Sequence, residues 1–194
     1  MPAAAEMRTG LAAHGAQSIA KGSKSFALAS LLFGAEMRRD VHMLYAWCRH
    51  CDDVIDGQTS GADAPDGSMS RAEMRNRLAM LREKTRMALR GEPTGLPAFD
   101  GFAMVARRRA IPEAYAMDLL DGFAHDAQGR TYETIDELMA YCYGVAGVVG
   151  VMMAIVMGID PHDDETLDCA CDLGLAFQLT NICRDVVDDA KGGR

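Results

Sequence analysis

The 194-residue chain carries a net charge of −8, and 49% of its residues are hydrophobic while only 6% are aromatic. This balance is typical of a folded globular protein, and a chain of this length can form one domain, placed at residues 1–194. A negative chain with few aromatic rings is poorly suited to phosphate backbones and base stacking, so the composition argues against a nucleic-acid-binding protein.

Abundant helix formers and the absence of strand alternation predict an all-α domain. Loops are predicted at 58–66 and 91–97, where turn-forming residues cluster. Ser70 is predicted to cap the helix that follows the first loop, with Glu73 at the capping-box position. The predicted helices span approximately residues 14–32, 36–56, 70–90, 99–109, 112–127, 135–159 and 163–189.

The segment 142–159 has no charged residue, and Gly144, Gly147 and Gly150 recur in it at every third position. Such a stripe of small residues allows close helix packing or leaves room for a ligand. The segment is barely long enough to cross a membrane. Because the chain is acidic and has no other apolar span, we expect this helix to be buried centrally.

Two cysteine pairs invite a zinc interpretation, Cys48 with Cys51 and Cys169 with Cys171. Zinc knuckles usually lie on turns, whereas both pairs fall in helix-like stretches without glycine, so we do not expect a zinc site. The polar N-terminus does not resemble a signal peptide, and we expect free thiols and a cytoplasmic location.

The first acidic cluster, Asp52-Asp53-Val-Ile-Asp56, lies near the end of a predicted helix. Asp52 and Asp56 are four residues apart and share one face. Like charges at this spacing, close to the negative end of the helix dipole, are unfavourable unless a cation binds. The alternative is an ordinary solvated helix end.

The second cluster places Asn181, Asp185 and Asp189 at four-residue intervals along one helical stripe. Oxygen ligands of this kind suit Mg²⁺ bound together with substrate phosphate, and Mn²⁺ is the alternative ion. Arg49 and Arg184 lie beside the two clusters, where they can bind phosphate oxygens or form ion pairs with their neighbours. Two facing clusters would form an acidic cleft that holds a diphosphate through metal ions.

Three collinear segments resemble the signatures of the squalene/phytoene synthase family, closest to its bacterial carotenoid-pathway members. YAWCRHCDDVID at 45–56 resembles the first aspartate motif, and LGLAFQLTNICRDVVDD at 173–189 resembles the second. YCYGVAGVVGVMM at 141–153 resembles the central signature, and GSKSF at 22–26 matches a further family element.

The resemblance implies an isoprenoid-synthase-type helical bundle around a central cavity, incomplete at the C-terminus. It also implies Mg²⁺-dependent head-to-head condensation of two geranylgeranyl diphosphates, through prephytoene diphosphate, to phytoene in carotenoid biosynthesis. No dinucleotide fingerprint is visible, so we do not expect NADPH. Metal-assisted loss of diphosphate from the substrate would leave an allylic cation, and an apolar channel would protect that cation from water.

The resemblance implies residue roles by position. Asp52, Asp56, Asp185 and Asp189 are the catalytic carboxylates, and the metal-diphosphate positions are these four with Asn181. Positions near the diphosphates or the reacting carbons are Ser25, Tyr45, Arg49 and Gln178. Channel positions, which are equally ordinary core positions, are Phe26, Tyr141, Val145 and Val149.

The chain departs from the family pattern at two places. Where the family often has a histidine before Ser-Lys-Ser, this chain has Gly22. After Asp189 the family usually continues into Arg-x-aromatic-x-Pro and about a hundred further residues, whereas this sequence ends at Arg194. We therefore expect a truncated chain that alone is inactive or poorly folded, with helix faces left exposed.

Three alternatives stay open at the level of sequence. The first cluster also fits the DDxxD motif of head-to-tail prenyl diphosphate synthases, although the second cluster does not. Squalene or dehydrosqualene synthesis from farnesyl diphosphate differs only in chain length and reduction. A non-catalytic helical scaffold with acidic patches is the third alternative. The lipid nature of the product also implies a peripheral position at the inner membrane, although no basic amphipathic helix in the sequence demonstrates it.

Overall fold

The computed structural model describes residues 2–57, 71–127 and 131–191, and the side chains of residues 2–5, 71, 126–127 and 188–189 fall outside that description. The predicted loop at 58–66 and the predicted cap Ser70 also lie outside it. The described residues form helices and no strand, which confirms the all-α prediction. The α-helices are α1 (Pro2–Gly22), α2 (Lys24–Ala29), α3 (Ala35–Asp56), α4 (Arg71–Leu89), α5 (Pro97–Arg109), α6 (Glu113–Ala127), α7 (Ile135–Cys142), α8 (Val148–Val156) and α9 (Asp164–Lys191).

The first predicted helix is wrong at both ends, because α1 begins earlier than residue 14 and stops at Gly22. Ser23 has an extended backbone, and its side chain accepts a hydrogen bond from the Phe26 N–H at 3.2 Å. A serine in this conformation caps a new helix instead of continuing the old one. The chain therefore turns within one residue into α2 and the short 3₁₀ segment Ser30–Leu32.

The apolar segment that was predicted as one helix over 135–159 contains a π-helical turn, Tyr143–Gly147, between α7 and α8. The whole segment begins at a capping box formed by Thr134 and Glu137. It ends before Gly158, whose φ of 105° is incompatible with an ordinary helix. A π turn inserts one residue into the helix and rotates the faces on either side of it.

This apolar segment, Ile135–Val156, is long and apolar enough to cross a membrane, yet half of it is buried inside the protein. Val148, Met152 and Val156 are fully buried, so the structure confirms the central burial expected from the sequence. Its glycines serve close packing. A methyl group at Gly144 would lie 2.7 Å from the Gly122 Cα of α6, and one at Gly147 would lie 2.9 Å from the Cys171 sulfur of α9.

Helix α3 lies at the centre of the hydrophobic core. Its Trp47 is fully buried and stacks on Phe102 of α5, with ring centroids 4.0 Å apart and planes 10° from parallel. Helices α4, α6 and α8 add Leu81, Leu120 and Met152, none of which is measurably exposed. Burial of large side chains stabilises by about 1.5–3 kcal/mol each.

A buried ion pair also fixes α3 against α5. Asp40 is fully buried, and its two carboxylate oxygens accept hydrogen bonds from Arg108 Nη1 at 2.8 Å and Arg109 Nε at 2.9 Å. Both arginines follow one another in the last turn of α5, where positive charge is favourable. The ion pair therefore holds the N-terminal half of α3 in place.

Groups of large apolar side chains are exposed on α2 with the 3₁₀ segment that follows it, and on α9. The most exposed is Leu32 in the 3₁₀ segment after α2, at 90% of its surface. The other exposed apolar residues of these two regions are Phe26, Leu28, Leu31, Leu173, Phe177, Val186 and Val187. The exposed helix faces expected from the sequence are thus present on α2 and α9.

Candidate metal and diphosphate site

The first aspartate cluster occupies the last two turns of α3. The Asp52 side chain keeps 37% of its surface exposed, and Arg49 Nη1 lies 3.1 Å from its carboxylate. Arg49 Nη2 lies 2.6 Å from Asp53, which is more buried. Asp56 is exposed at the helix end, next to Gly57, whose φ of 70° ends the helix. In this structure Arg49 therefore forms ion pairs with its neighbours.

A groove of about 140 Å³ between α1 and α3 borders this cluster on the side of Arg49 and Asp53. Lys21 and Arg49 contribute positive charge to its wall, which His14 and His50 also line. Burial lowers the pKa of His50, so this imidazole stays neutral at pH 7. The sequence patterns did not indicate this groove.

The predicted contacts Ser25, Phe26 and Tyr45 lie where α1, α2 and α3 meet. Ser25 and Phe26 are exposed on α2, and the Phe26 ring stands edge-on to Tyr45 at 6.5 Å between centroids. Phe26 is 60% exposed, so the alternative of ordinary core packing is wrong for this residue. Burial raises the pKa of the Tyr45 phenol, which keeps its proton and can donate a hydrogen bond.

The departure at Gly22 has a physical reason in the same place. A methyl group there would overlap the Tyr45 hydroxyl, so a side chain at this position requires that hydroxyl to move. An imidazole at position 22 is therefore incompatible with this position of Tyr45.

The second cluster lies on the last turns of α9. Asn181 and Asp185 are half-buried, and Gln178 is half-buried one turn earlier. Arg184 donates two hydrogen bonds to Asp185, from Nε at 2.7 Å and from Nη2 at 2.6 Å, and this contact lowers the pKa of the carboxyl group. Asp189 belongs to the same helix, and its side chain lies outside the described part.

The two clusters stand on helices that do not pack together. No residue pair from the described parts of α3 and α9 comes within 8 Å between Cα atoms. Among the described residues, no three acidic, histidine or cysteine side chains lie close enough to share one metal ion. A metal held by either helix would therefore need further ligands from elsewhere. Carboxylates that already pair with a guanidinium can also bind Mg²⁺, whose remaining coordination positions substrate oxygens would fill.

The predicted channel positions belong to the α7–π–α8 segment. Tyr141 is half-buried and stacks on Tyr132, with centroids 5.1 Å apart, and on His125 at 6.4 Å. Val145 and Val149 are half-buried at the edge of the core. These two valines are placed where they can serve either packing or a ligand.

Sequence reasoning missed a polar contact beside this channel segment. The Tyr143 hydroxyl, in the π turn, donates a hydrogen bond to Asp118 of α6 at 2.7 Å. Burial and the adjacent carboxylate raise the pKa of Tyr143 well above its ordinary range. The signal available in sequence was weak, since Tyr143 was only one letter of the central signature.

The cysteines of the supposed zinc pairs lie on α3 and α9. Cys48 and Cys51 pack in the core, and burial raises the pKa of the Cys48 thiol to about 12. Both are protonated at neutral pH and form part of the apolar packing. Cys169 and Cys171 lie near the start of α9, and all four thiols are free.

The all-helical fold, with aspartates on two separated helices, defines an isoprenoid-synthase type of protein. The chain belongs to the squalene/phytoene synthase family, whose sequence profile matches residues 19–194.

Curated relatives and a solved structure agree with this family. A 15-cis-phytoene synthase from Pantoea ananas is 55% identical over 93% of this chain, and one from Enterobacter agglomerans is 57% identical over 89%. A crystal structure of a dehydrosqualene synthase superposes with a TM-score of 0.81 and 30% identity, covering 97% of this chain and 61% of that chain. The chain spans 57% of the length of each of these two curated relatives.

Proposed function

We propose that this chain provides the metal- and diphosphate-binding part of a 15-cis-phytoene synthase. The observation that carries the proposal is the pair of solvent-accessible carboxylates, Asp52 on α3 and Asp185 on α9, on helices that stand apart. Identity of 55% to a 15-cis-phytoene synthase supports the same function. The reaction is the head-to-head condensation of two geranylgeranyl diphosphates.

Mg²⁺ is the proposed metal, and Mn²⁺ is a substitute that binds similar oxygen ligands. Asp52 and Asp56 would hold it on α3, and Asn181, Asp185 and Asp189 on α9. Bound there, the metal neutralises charge that develops on a leaving diphosphate. In this proposal Arg49 and Arg184 release their neighbouring carboxylates and bind phosphate oxygens, for which the planar guanidinium is well suited.

The other side chains bind and shield the substrates. Tyr45 and Ser25 donate hydrogen bonds to diphosphate oxygens, and Gln178 lies close to the reacting carbons. The prenyl chains lie along Phe26 and the channel segment that bears Tyr141, Val145 and Val149. Apolar walls exclude water, which would otherwise capture a carbocation.

Dehydrosqualene or squalene synthesis from farnesyl diphosphate is the second candidate, because the solved structure of a dehydrosqualene synthase shares the fold at 30% identity. The phytoene synthases from Pantoea ananas and Enterobacter agglomerans are much more similar, so we place the C20 substrate first. We also propose a cytoplasmic location, peripheral to the inner membrane, for an enzyme whose substrates and product are lipids. No NADPH is required for phytoene.

The experiment tests the chain within a whole enzyme. Residues 1–191 replace the matching stretch of the Pantoea ananas protein, and the folded chimera receives Mg²⁺ with either the C20 or the C15 diphosphate. We expect phytoene from the C20 substrate, and loss of product in Asp52→Asn and in Asp185→Asn. Asp168→Asn, an exposed carboxylate earlier on α9, is the matched control and should keep activity.

Formation of only a C30 hydrocarbon would replace phytoene synthesis by the second candidate. Undiminished product formation in both Asp52→Asn and Asp185→Asn would refute the metal assignment altogether.

A further inference from the structure

Gly22, the last residue of α1, lies directly under the side chain of Tyr45 from α3. A methyl group added at Gly22 would overlap the Tyr45 hydroxyl and would lie 3.2 Å from Cζ and 3.3 Å from Cε1 of the same ring. The ring atoms could yield by a few tenths of an ångström, but the hydroxyl has to move away. Any side chain at position 22 therefore competes with the observed position of Tyr45.

The backbone itself does not require glycine at this position. The described glycines with positive φ are Gly57, Gly91, Gly95 and Gly158, and Gly22 is not among them. Alanine would in addition favour the helix, since glycine loses more conformational freedom on folding. The requirement at position 22 comes from the side chain of Tyr45.

The main chain on the far side of Gly22 is also held firmly. The Ser23 N–H donates to the Ile19 carbonyl at 2.9 Å, which completes α1. The Ser23 carbonyl accepts from the Ala27 N–H at 2.9 Å, which starts α2. These hydrogen bonds hold the joint between α1 and α2, at Gly22 and Ser23, in place. A side chain at position 22 would therefore move Tyr45 more readily than the backbone of this joint.

Tyr45 is the side chain that connects this joint to the first aspartate cluster. It precedes Arg49 by four residues and therefore lies on the same face of α3. Its ring also packs against the Phe26 ring of α2 in a T-shaped arrangement, with centroids 6.5 Å apart. Tyr45 thus contacts Gly22 and Phe26 and shares a helix face with Arg49 of the first cluster.

We propose that Gly22 is a positioning residue of the diphosphate site, which admits the Tyr45 hydroxyl to the joint between α1 and α2 and so aims it at a bound diphosphate. The inference rests on the proposed function, because Tyr45 has a ligand to bind only if the site takes diphosphate. It makes the identity of residue 22 a determinant of diphosphate affinity through Tyr45.

The test is a double-mutant cycle in the folded chimera that carries residues 1–191, with Gly22→Ala, Tyr45→Phe and the double variant. Binding of inorganic pyrophosphate in the presence of Mg²⁺ is measured by calorimetry, and the urea midpoint of each variant is measured without ligand. Gly10→Ala is the matched control on the same helix, since a methyl group there meets nothing within 4 Å.

We expect Gly22→Ala to weaken pyrophosphate binding about fivefold in the presence of Tyr45, a typical coupling between residues in contact. In the Tyr45→Phe background the same change should have less than about a twofold effect, because the competing hydroxyl is gone. Gly10→Ala should leave binding unchanged.

An equal loss in both backgrounds, or no loss from Gly22→Ala, would overturn the positioning role. If the unmodified chimera binds no pyrophosphate with Mg²⁺, the proposed function fails and the role of Gly22 in aiming Tyr45 at a ligand fails with it. The unfolding midpoints in urea then test only the packing of Gly22 against Tyr45. Non-additive effects of the two substitutions on the midpoint would show that Gly22 still fixes Tyr45.

Discussion

Helix α3 carries aspartates at both ends, and the two ends differ in how those aspartates are satisfied. Asp40, near the N-terminal end, is fully buried and binds Arg108 and Arg109 from a neighbouring helix. Asp52, three turns later, keeps 37% of its side chain exposed and pairs with Arg49 of its own helix.

The difference separates a structural carboxylate from one that is available to a ligand. A buried charge is tolerated only with partners held in fixed geometry, and removing one partner of such a pair is costly. An exposed pair within one helix contributes little to stability, and a metal or phosphate can replace one of its members at small cost.

The largest effect is expected at the buried end. Asp40→Asn should lower the free energy of unfolding by about 3–5 kcal/mol, because it leaves two arginines facing a neutral amide. Urea denaturation followed by circular dichroism measures it. Asp52→Asn on the same helix is the control and should change stability by less than about 1 kcal/mol. Comparable losses in both variants would erase the distinction between the two ends.

The channel segment offers a second test, of packing without charge. Gly144→Ala should lower stability by about 1–3 kcal/mol, because its methyl group would press against the backbone of Gly122 on α6. The urea midpoint is again the measurement. Gly10→Ala, whose methyl group meets no neighbour, should be neutral or slightly stabilising. A neutral Gly144→Ala would show that α6 and the π turn are not tightly packed.

A smaller effect is expected at the π turn. Tyr143→Phe removes the hydroxyl that donates to Asp118 and should lower stability by about 1 kcal/mol. Asp118→Asn keeps an oxygen acceptor and should lose less. Thermal unfolding of the two variants compares them. A larger loss in Asp118→Asn would mean that the carboxylate has a role apart from Tyr143.

The smallest effect concerns pH at the two histidines of α3. Burial lowers the pKa of His42 and of His50 in the folded chain, so the unfolded chain binds more protons as the pH falls. Stability should therefore be complete above the ordinary histidine pKa of about 6.5 and decline below it. The urea midpoint measured from pH 7.5 to pH 5 should fall less in His42→Gln than in the unmodified chain. An identical pH dependence of the urea midpoint in both proteins would show that His42 does not contribute to the loss of stability at low pH.

The sequence predicted helix positions well where periodicity or a motif marked them. The bounds of α3 and α5 agree within two residues, because a left-handed Gly57 and an early proline mark them clearly. The break at Ser23 was missed, since a single capping side chain decides it. The π turn was missed because residues 142–159 include no charged residue, so the segment has no polar face whose shift along the helix would reveal an inserted residue.

Candidate site residues were predictable as types and spacings along one helix. What the spacing could not provide is the relation between helices. The burial of Asp40, the Tyr143–Asp118 contact and the fit of Gly22 beneath Tyr45 all join residues from different elements. Tertiary packing alone creates these relations.

The central claim is that Asp52 and Asp185 bind one metal–diphosphate assembly from two helices. Electron paramagnetic resonance of Mn²⁺ measures free metal as the chain is added, with and without inorganic pyrophosphate. We predict that pyrophosphate strengthens Mn²⁺ binding at least about tenfold, equivalent to 1.4 kcal/mol, and that Asp52→Asn and Asp185→Asn each abolish this gain while Asp168→Asn retains it. Equal pyrophosphate-dependent Mn²⁺ binding by all four proteins would contradict the claim.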